Sequence, residues 1–367
     1  MTPKVYFTDF CTRNAETLPQ KLARLIMTAG IDQIDFQDKF VAIKIHFGEM
    51  GNMAHLRSGY ARVLVNIIKD LGGKPFLTDC NTLYVGSRKN ALDHIETAYL
   101  NGFTPYSTGA HIIIADGLKG TDDVAVPVEG CDYITEAKIG RAVMDADIVI
   151  SLNHFKGHEN AGFGGAMKNL GMGCGSCAGK KEMHSSCRPE VDAEKCVACG
   201  SCADICAHGG PSLVDGVMKI DWTKCAGCGR CLHVCPVDAI HSSCADDNDL
   251  LNFKIAEYAK AVVQNRPHFH ISLVRDVSPC CDCHAENDLP IVPDVGMFAS
   301  FDPVALDLAC AEAVNKQTIN AGSTLDQANR PDLDNITGSF PFTNWRTQIS
   351  HGKKIGLGED SYELINI

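Results

Sequence analysis

Between Cys196 and Pro236 the chain carries the same cysteine spacing twice, and any fold it adopts must gather those eight sulfurs. The runs CVACGSCADIC (196–206) and CAGCGRCLHVCP (225–236) each read C-x2-C-x2-C-x3-C, with eighteen residues between Cys206 and Cys225. Short loops of this spacing deliver thiolates to the corners of a [4Fe-4S] cube, and with two cubes the fourth cysteine of each run crosses to the other. One cluster is then expected on Cys196, Cys199, Cys202 and Cys235, and the other on Cys225, Cys228, Cys231 and Cys206. C-x2-C pairs also hold zinc, but two complete four-cysteine runs, the second ending in Cys235-Pro236, exceed what a zinc site needs. Ala207 stands where a second proline is usual, which alters loop shape and not ligation.

The rest of the 367 residues is too much chain for that unit alone and suits two or three domains. Nineteen cysteines would suit a secreted disulfide scaffold, but they fall in metal spacing, and no charged-then-apolar leader opens the sequence. A reducing cytoplasm is the expected location. No apolar run reaches membrane-spanning length. The net charge of −12 argues against nucleic acid or anionic lipid as a partner. Half of that charge lies in 190–249, with ten acidic and four basic side chains, a surface suited to a basic redox partner.

Along the chain, strands are expected at 4–8, 40–47, 75–79, 111–115, 147–152 and 268–274, and a β stretch at 124–128. Helices are expected at 15–29, 55–71, 87–100, 136–145, 246–265 and 302–315, the last begun by Asp302-Pro303, an N-cap followed by proline. This alternation predicts an α/β fold with a mainly parallel, helix-covered sheet. The domain resumes after the cysteine runs, so residues 1–187 and 246–367 are read as its two parts, with 188–245 an inserted small α+β ferredoxin-type domain. Past residue 316 the chain is Asn-, Gly- and Pro-rich and reads as weakly structured.

Ligands of such sheets bind at the carboxyl ends of the strands. Two strand ends carry polar groups: Lys44, His46 and Glu49, and then Asn153, His154, Lys156 and His158. The glycine-rich AGFGGAMKNLGMGCG (161–175) follows, where Gly162, Gly164 and Gly165 would let backbone approach a ligand and the helix start would favour an anion. Lys168, near that start, adds a positive charge that the helix dipole opposes unless an anion sits there. His46, His154, His158, Lys168 and His184 are the expected pocket and candidate catalytic residues, since histidine titrates near neutral pH. No GxGxxG or GxxxxGK[ST] pattern supports a dinucleotide fingerprint or a P-loop. Among the other cysteines, Cys11, Cys80, Cys131, Cys244 and Cys310 are isolated and read as ordinary thiols. Cys174, Cys177 and Cys187 form one group and Cys280, Cys281 and Cys283 another. Cys174, Cys177, Cys281 and Cys283 could complete a third metal centre, either a cluster or zinc; free thiols or a reversible disulfide are the alternatives.

The motifs HFGE (46–49), GFGGAMKNLGMGC (162–174), CDC (281–283) and PDVGMFASFDPVALD (293–307) resemble those of the iron–sulfur proteins of the DUF362 family, over about residues 1–315. A second resemblance, over some thirty residues, is to the lactate racemase family. His158, the AGF turn (161–163), Lys168 ten residues on and His184-Ser185 sixteen further match that family's intervals. That resemblance implies a nickel-pincer nucleotide, with His158 an acid/base, Lys168 the anchoring lysine and His184 a metal ligand.

Together these features predict an electron-transfer protein or oxidoreductase, with two [4Fe-4S] clusters serving a site at the edge of the α/β domain. That site would hold a small anionic substrate and a candidate third metal centre. The rival readings are a non-catalytic carrier docking a redox partner, a nickel-pincer relative, and an assembly factor that carries clusters to another protein.

Overall fold

The computed structural model describes residues 2–12, 16–185, 188–244 and 246–367. In chain order the first half runs β1 (Lys4–Thr8), α1 (Leu18–Thr28), β2 (Phe40–Lys44), α2 (Ser58–Asp70), β3 (Lys74–Asp79), α3 (Ala91–Leu100), α4 (Pro105–Thr108), β4 (Ile112–Ile114), β5 (Asp123–Pro127), β6 (Glu136–Gly140) and α5 (Arg141–Asp145). It continues through β7 (Ile148–His154), β8 (Lys156–His158), β9 (Gly162–Gly164), α6 (Ala166–Cys174) and α7 (Cys177–His184). The cysteine segment holds β10 (Pro189–Val191), α8 (Ser201–Asp204), β11 (Pro211–Val214), β12 (Val217–Ile220), α9 (Arg230–His233) and β13 (Ile240–Ser242). Then come α10 (Asp247–Val263), β14 (His268–Val274), β15 (Gly296–Ser300), α11 (Pro303–Asn315), α12 (Thr324–Ala328), α13 (Asn335–Ser339), α14 (Trp345–Lys354) and β16 (Glu363–Asn366).

The fold is α/β, built on an eight-stranded sheet in the order β16-β1-β15-β14-β7-β2-β3-β4. Seven strands run one way; β15 alone opposes both its neighbours, β1 and β14. Central strands such as β7 are buried along their whole length, as strands covered on both faces must be. Two apolar layers flank the sheet. One packs Leu22, Leu25, Tyr60 and Leu64 of α1 and α2 against Ile43 and Ile150. The other packs Leu170, Ile255, Tyr258 and Leu306 of α6, α10 and α11 against Ala42 and Val149. The cysteine segment adds no strand to this sheet; it forms two small antiparallel pairs, β10-β13 and β11-β12, over a small core of Cys202, Met218 and Ile240.

Several elements differ from the sequence reading. Residues 136–140, expected as helix, form β6, which pairs with β5 in a separate hairpin; only 141–145 are helical. The stretch past 316 carries α12, α13 and α14, and β16 lies parallel to β1 at the sheet edge. Cys11 is exposed and Cys244 is disulfide-bonded, so neither is an ordinary buried thiol.

Candidate functional site

At the carboxyl ends of β2, β3 and β7, a cavity of about 60 Å³ opens beneath the start of α6. Its wall includes Lys44, Arg88, Lys156, Lys168 and Lys180, five cationic side chains, and all but Lys168 are buried. Three meet carboxylates: Lys44 lies 3.0 Å from Asp79, Arg88 3.0 Å from Glu49 and Lys156 3.5 Å from Asp282. Lys180 Nζ donates to the carbonyls of Gly175 (2.5 Å) and Gly173 (3.4 Å) and has no carboxylate partner among the described residues. Lys180 is therefore the wall cation held by carbonyls and not by a close ion pair, with Asp116 within its electrostatic reach. Three buried groups on its wall lack a hydrogen-bond partner: Asp79 Oδ2, which faces Arg88 and His94 at 3.7 Å, and Arg88 Nη2 and Thr82 Oγ1. Stranded buried polar groups are costly, and an anion would satisfy the latter two.

The thiols Cys281 and Cys283 face Lys168 across this cavity, with Lys168 Nζ 3.6 Å from Cys281 Sγ. The Cys283 thiol donates to Cys281 and holds it well below the usual thiol range; burial opposes this, and Lys168, Lys156 and His158 reinforce it. Burial opposes the charge on Lys168, but the Cys281 and Cys283 sulfurs and the Glu159 carboxylate together outweigh it, and the ammonium is held above its ordinary value.

The structure separates the five predicted pocket residues. His46 lines the cavity; Gly48 N–H donates to its Nδ1 (2.9 Å), leaving Nε2 as the open nitrogen, and burial keeps the ring neutral. Lys168 lines it too. His158 stands behind Cys281, its Nδ1 accepting the N–H groups of Asn160 and Ala161 (3.1 Å each). His184 shares a 2.9 Å hydrogen bond with the Tyr84 hydroxyl, and burial, then the nearby Lys168 and His158, hold it down to about 3. His154 is not on the wall. Its Nδ1 is bound to Asp282 (2.9 Å) and its Nε2 to the Arg275 carbonyl (2.7 Å), so neither nitrogen is free for a substrate.

Of the glycines, Gly164 and Gly165 line the cavity, whereas Gly162 (φ +83°) packs against Trp345. The anion expected at the start of α6 is internal. Asp307 of α11 accepts the N–H groups of Ala166 (2.7 Å) and Met167 (2.9 Å), so the helix start is capped from within the fold. Burial pushes the Asp307 carboxyl up to about 7.

Sequence reasoning missed Arg88 and Tyr84, gave Lys180 no role, and read Asp307 only as the end of the motif at 293–307; none of the four sits at a strand end. Behind the wall runs a buried chain of hydrogen bonds. Lys44 Nζ donates to Asn169 Oδ1 (2.6 Å), Asn169 Nδ2 to Asn153 Oδ1 (2.8 Å) and Asn153 Nδ2 to Ser151 Oγ (3.1 Å), which shares a 2.8 Å bond with His270.

The eight-cysteine segment lies beside this cavity. Cys196, Cys199, Cys202 and Cys235 line one small pocket with Val191, Met218, Ala239 and Ile240. Cys228 has Cys225 and Cys206 as neighbouring sulfurs, and burial, then Cys228, Cys225 and Cys202, push Cys231 up to about 12. Cys235 thus lines a pocket with three sulfurs of the first run, and Cys206 lies near Cys228 of the second. Burial also raises the Cys202 and Cys228 thiols, and sulfurs crowded in this way are a donor set a cationic metal core would stabilise. The two loops turn alike, with left-handed residues at Ala198 and Gly200 in one and Gly227 and Gly229 in the other. Backbone N–H groups reach the sulfurs, Gly227 to Cys225 (3.4 Å) and Ala239 to Cys235 (3.2 Å).

Tyr84 joins the two regions. Burial, then the sulfurs of Cys283 and Cys228, raise its phenol well above the ordinary value, and Arg230 lies 5.6 Å over its ring. Cys228 and His184 line a common cavity of about 220 Å³.

The expected four-thiol third centre is not assembled as a single-ion site. Cys281 and Cys283 are at the cavity. Cys174 is fully buried, its carbonyl accepting the Cys80 thiol, and Cys177 lies against Gly120. Among the described residues no three of these four sulfurs lie within 4.8 Å of one another. Cys187 lies outside the described residues.

No curated protein matches the chain significantly. Among solved structures, the lactate racemase apoprotein from Thermoanaerobacterium thermosaccharolyticum shares 11% identity at a TM-score of 0.41, over 87% of this chain and 58% of that one. A Thermotoga maritima protein solved as a structural genomics target shares 11% at 0.40, over 81% and 57%. The chain thus spans less than two thirds of the length of either, and likenesses this distant carry no chemistry. Residues 41–312 match the family described as "Domain of unknown function (DUF362)", and the chain belongs to that family.

Proposed function

We propose that this chain is an iron–sulfur oxidoreductase that exchanges electrons with a small anion held in the cationic cavity. The observation that carries the reading is that Tyr84, on the cavity wall with Cys283, is hydrogen-bonded to His184, which lines a second cavity with Cys228 of the second cysteine set. Cys196, Cys199, Cys202 and Cys235 would hold one [4Fe-4S] cluster, and Cys225, Cys228, Cys231 and Cys206 the other. Bound clusters supply one-electron transfer at potentials tuned by burial and N–H···S hydrogen bonds. The protein's own residues do the rest. Lys180, Lys168 and Arg88 bind and orient the anion, and His46, with Nδ1 fixed by Gly48, offers Nε2 for proton exchange with it. The acidic surface of 190–249 suits a basic electron-donor protein. A reducing compartment suits the clusters.

Anaerobically purified protein is expected to carry about eight irons per chain, as two cubes require, and to be stabilised against heating by small carboxylates or phosphate. Lys180→Met should abolish that stabilisation and leave the iron content unchanged. Iron without any anion-dependent stabilisation would leave the carrier reading standing instead, and a chain without iron would remove both.

The nickel-pincer reading has one observation in its favour, the proximity of Lys168, His158 and His184. Against it, the Lys168 ammonium is held in its charged, non-nucleophilic form by Cys281. Intact mass spectrometry of natively expressed protein decides the matter: an adduct on Lys168 supports this reading, and the bare polypeptide mass excludes it.

A further inference from the structure

Between the cavity and the second cysteine set, a carboxylate oxygen of Glu159, the sulfur of Cys283 and a ring nitrogen of His284 all lie within 4.8 Å of one another. These are donor types that suit a borderline divalent transition metal. One of them is unsatisfied. Glu159 is 8% exposed; its Oε1 lies 2.9 Å from His284 Nε2, but its Oε2 has no hydrogen-bond partner. Oε2 is 3.8 Å from His158 Nδ1, and that nitrogen, already accepting two backbone N–H groups, turns a lone pair and not a proton towards it. A buried carboxylate oxygen left in that position costs free energy unless a cation approaches.

The contrast with the other such trio, Asp132, Glu257 and His351, is instructive. There the Glu257 carboxylate accepts the N–H groups of Asp132, Tyr133 and Ile134 as well as facing His351, so its oxygens are already occupied.

We propose that Glu159, Cys283 and His284 form a zinc site whose fourth position opens to the cavity that Cys283 lines. Three protein ligands and one open position is the arrangement of zinc ions that polarise a bound anion or water. Binding releases the thiol proton of Cys283, as thiolate ligation requires. It also selects the His284 tautomer with the proton on Nδ1, which Glu286 Oε1 accepts at 3.3 Å. Arg230 Nη1, now 2.7 Å from the same Nδ1, must then turn away, and the Glu286 carboxylate, already within its electrostatic reach, receives it. The site rests on these side chains alone and does not depend on the electron-transfer reading.

The test uses anaerobically purified full-length protein with its native metal content, incubated with Zn²⁺ and dialysed. Wild type is expected to retain about one zinc per chain, with K-edge absorption showing one sulfur near ~2.3 Å and nitrogen or oxygen near ~2.0–2.2 Å. Glu159→Gln and Cys283→Ser should each weaken zinc at least tenfold with iron content unchanged, and Glu286→Gln about tenfold through the ring it orients. Zinc retained equally by Glu159→Gln would overturn the site, as would a shell of four sulfurs, which would place the ion in the eight-cysteine segment. If Cys283→Ser fails to fold, the near-isosteric Glu159→Gln decides alone. Failure here leaves the iron and anion measurements untouched, so the two proposals fall separately.

Discussion

Glu49 is the residue on which the cationic wall leans. Its Oε2 accepts Arg88 Nε at 3.0 Å, and its Oε1 accepts both the N–H and the hydroxyl of Ser87. Arg88 is 1% exposed and already has one unpartnered nitrogen. Glu49→Gln removes the one carboxylate at hydrogen-bond distance and leaves a buried guanidinium poorly compensated, so it should destabilise the protein by about 3 kcal/mol, measured as a lower urea midpoint. An unchanged midpoint would show that Asp79, 3.7 Å from Arg88, holds the charge unaided. At this scale the sequence was partly legible. Lys44, His46 and Lys168 stand beside strand ends or in a glycine-rich turn, where ligand sites are expected. Arg88 and Lys180 come from positions with no periodic signal, and the capping of α6 by Asp307 joins residues some 140 positions apart. Local pattern cannot disclose contacts of that range.

At the scale of elements, the contact that fixes the site is between α6 and α10. A Cβ on Gly171 of α6 would stand 2.1 Å from the backbone oxygen of Ile255 on α10, which cannot yield as a flexible side chain could. Gly171→Ala should therefore push the helices apart and cost roughly 1–3 kcal/mol, as overpacking does, read as a lower melting temperature; an unaltered melt would mean the backbones can part freely. Long amphipathic helices and buried strands were readable because their periods are strong. The strand β6 was not, because EAKIG lacks β-branched alternation and becomes a strand only by pairing with β5. The short helices α12 and α13 carry visible caps in Ser323 and Asp334, yet at five residues each they are too brief to show a stripe.

For the whole molecule, buried histidines set the response to acid. Burial holds His46 and His270 well below their ordinary value, His94 and His184 down to about 3, and His268 to about 4. The unfolded chain takes up those protons near pH 6.5 and the folded one does not, so stability falls as pH drops below that value. Asp116 and Asp307, pushed up to about 6 and about 7 by burial, act the other way: they favour the fold at low pH and lose that effect as pH rises through the same window. His208 is also held down by burial, and His284 is held up against burial, chiefly by Glu159. Six lowered histidines against one raised and two carboxyls give a net loss, so the urea midpoint should be lower at pH 5.5 than at pH 7.5. An equal or higher midpoint at pH 5.5 would reverse this assignment. The route of the chain has a further consequence. The cysteine segment leaves the main body after α7 and returns as α10, the helix whose backbone presses on Gly171, three residues along α6 from Lys168. The segment thus hangs from a lever. A strain on its loops is delivered through α10 to the helix that carries the cavity lysine, and the two regions are joined by mechanics as well as by proximity.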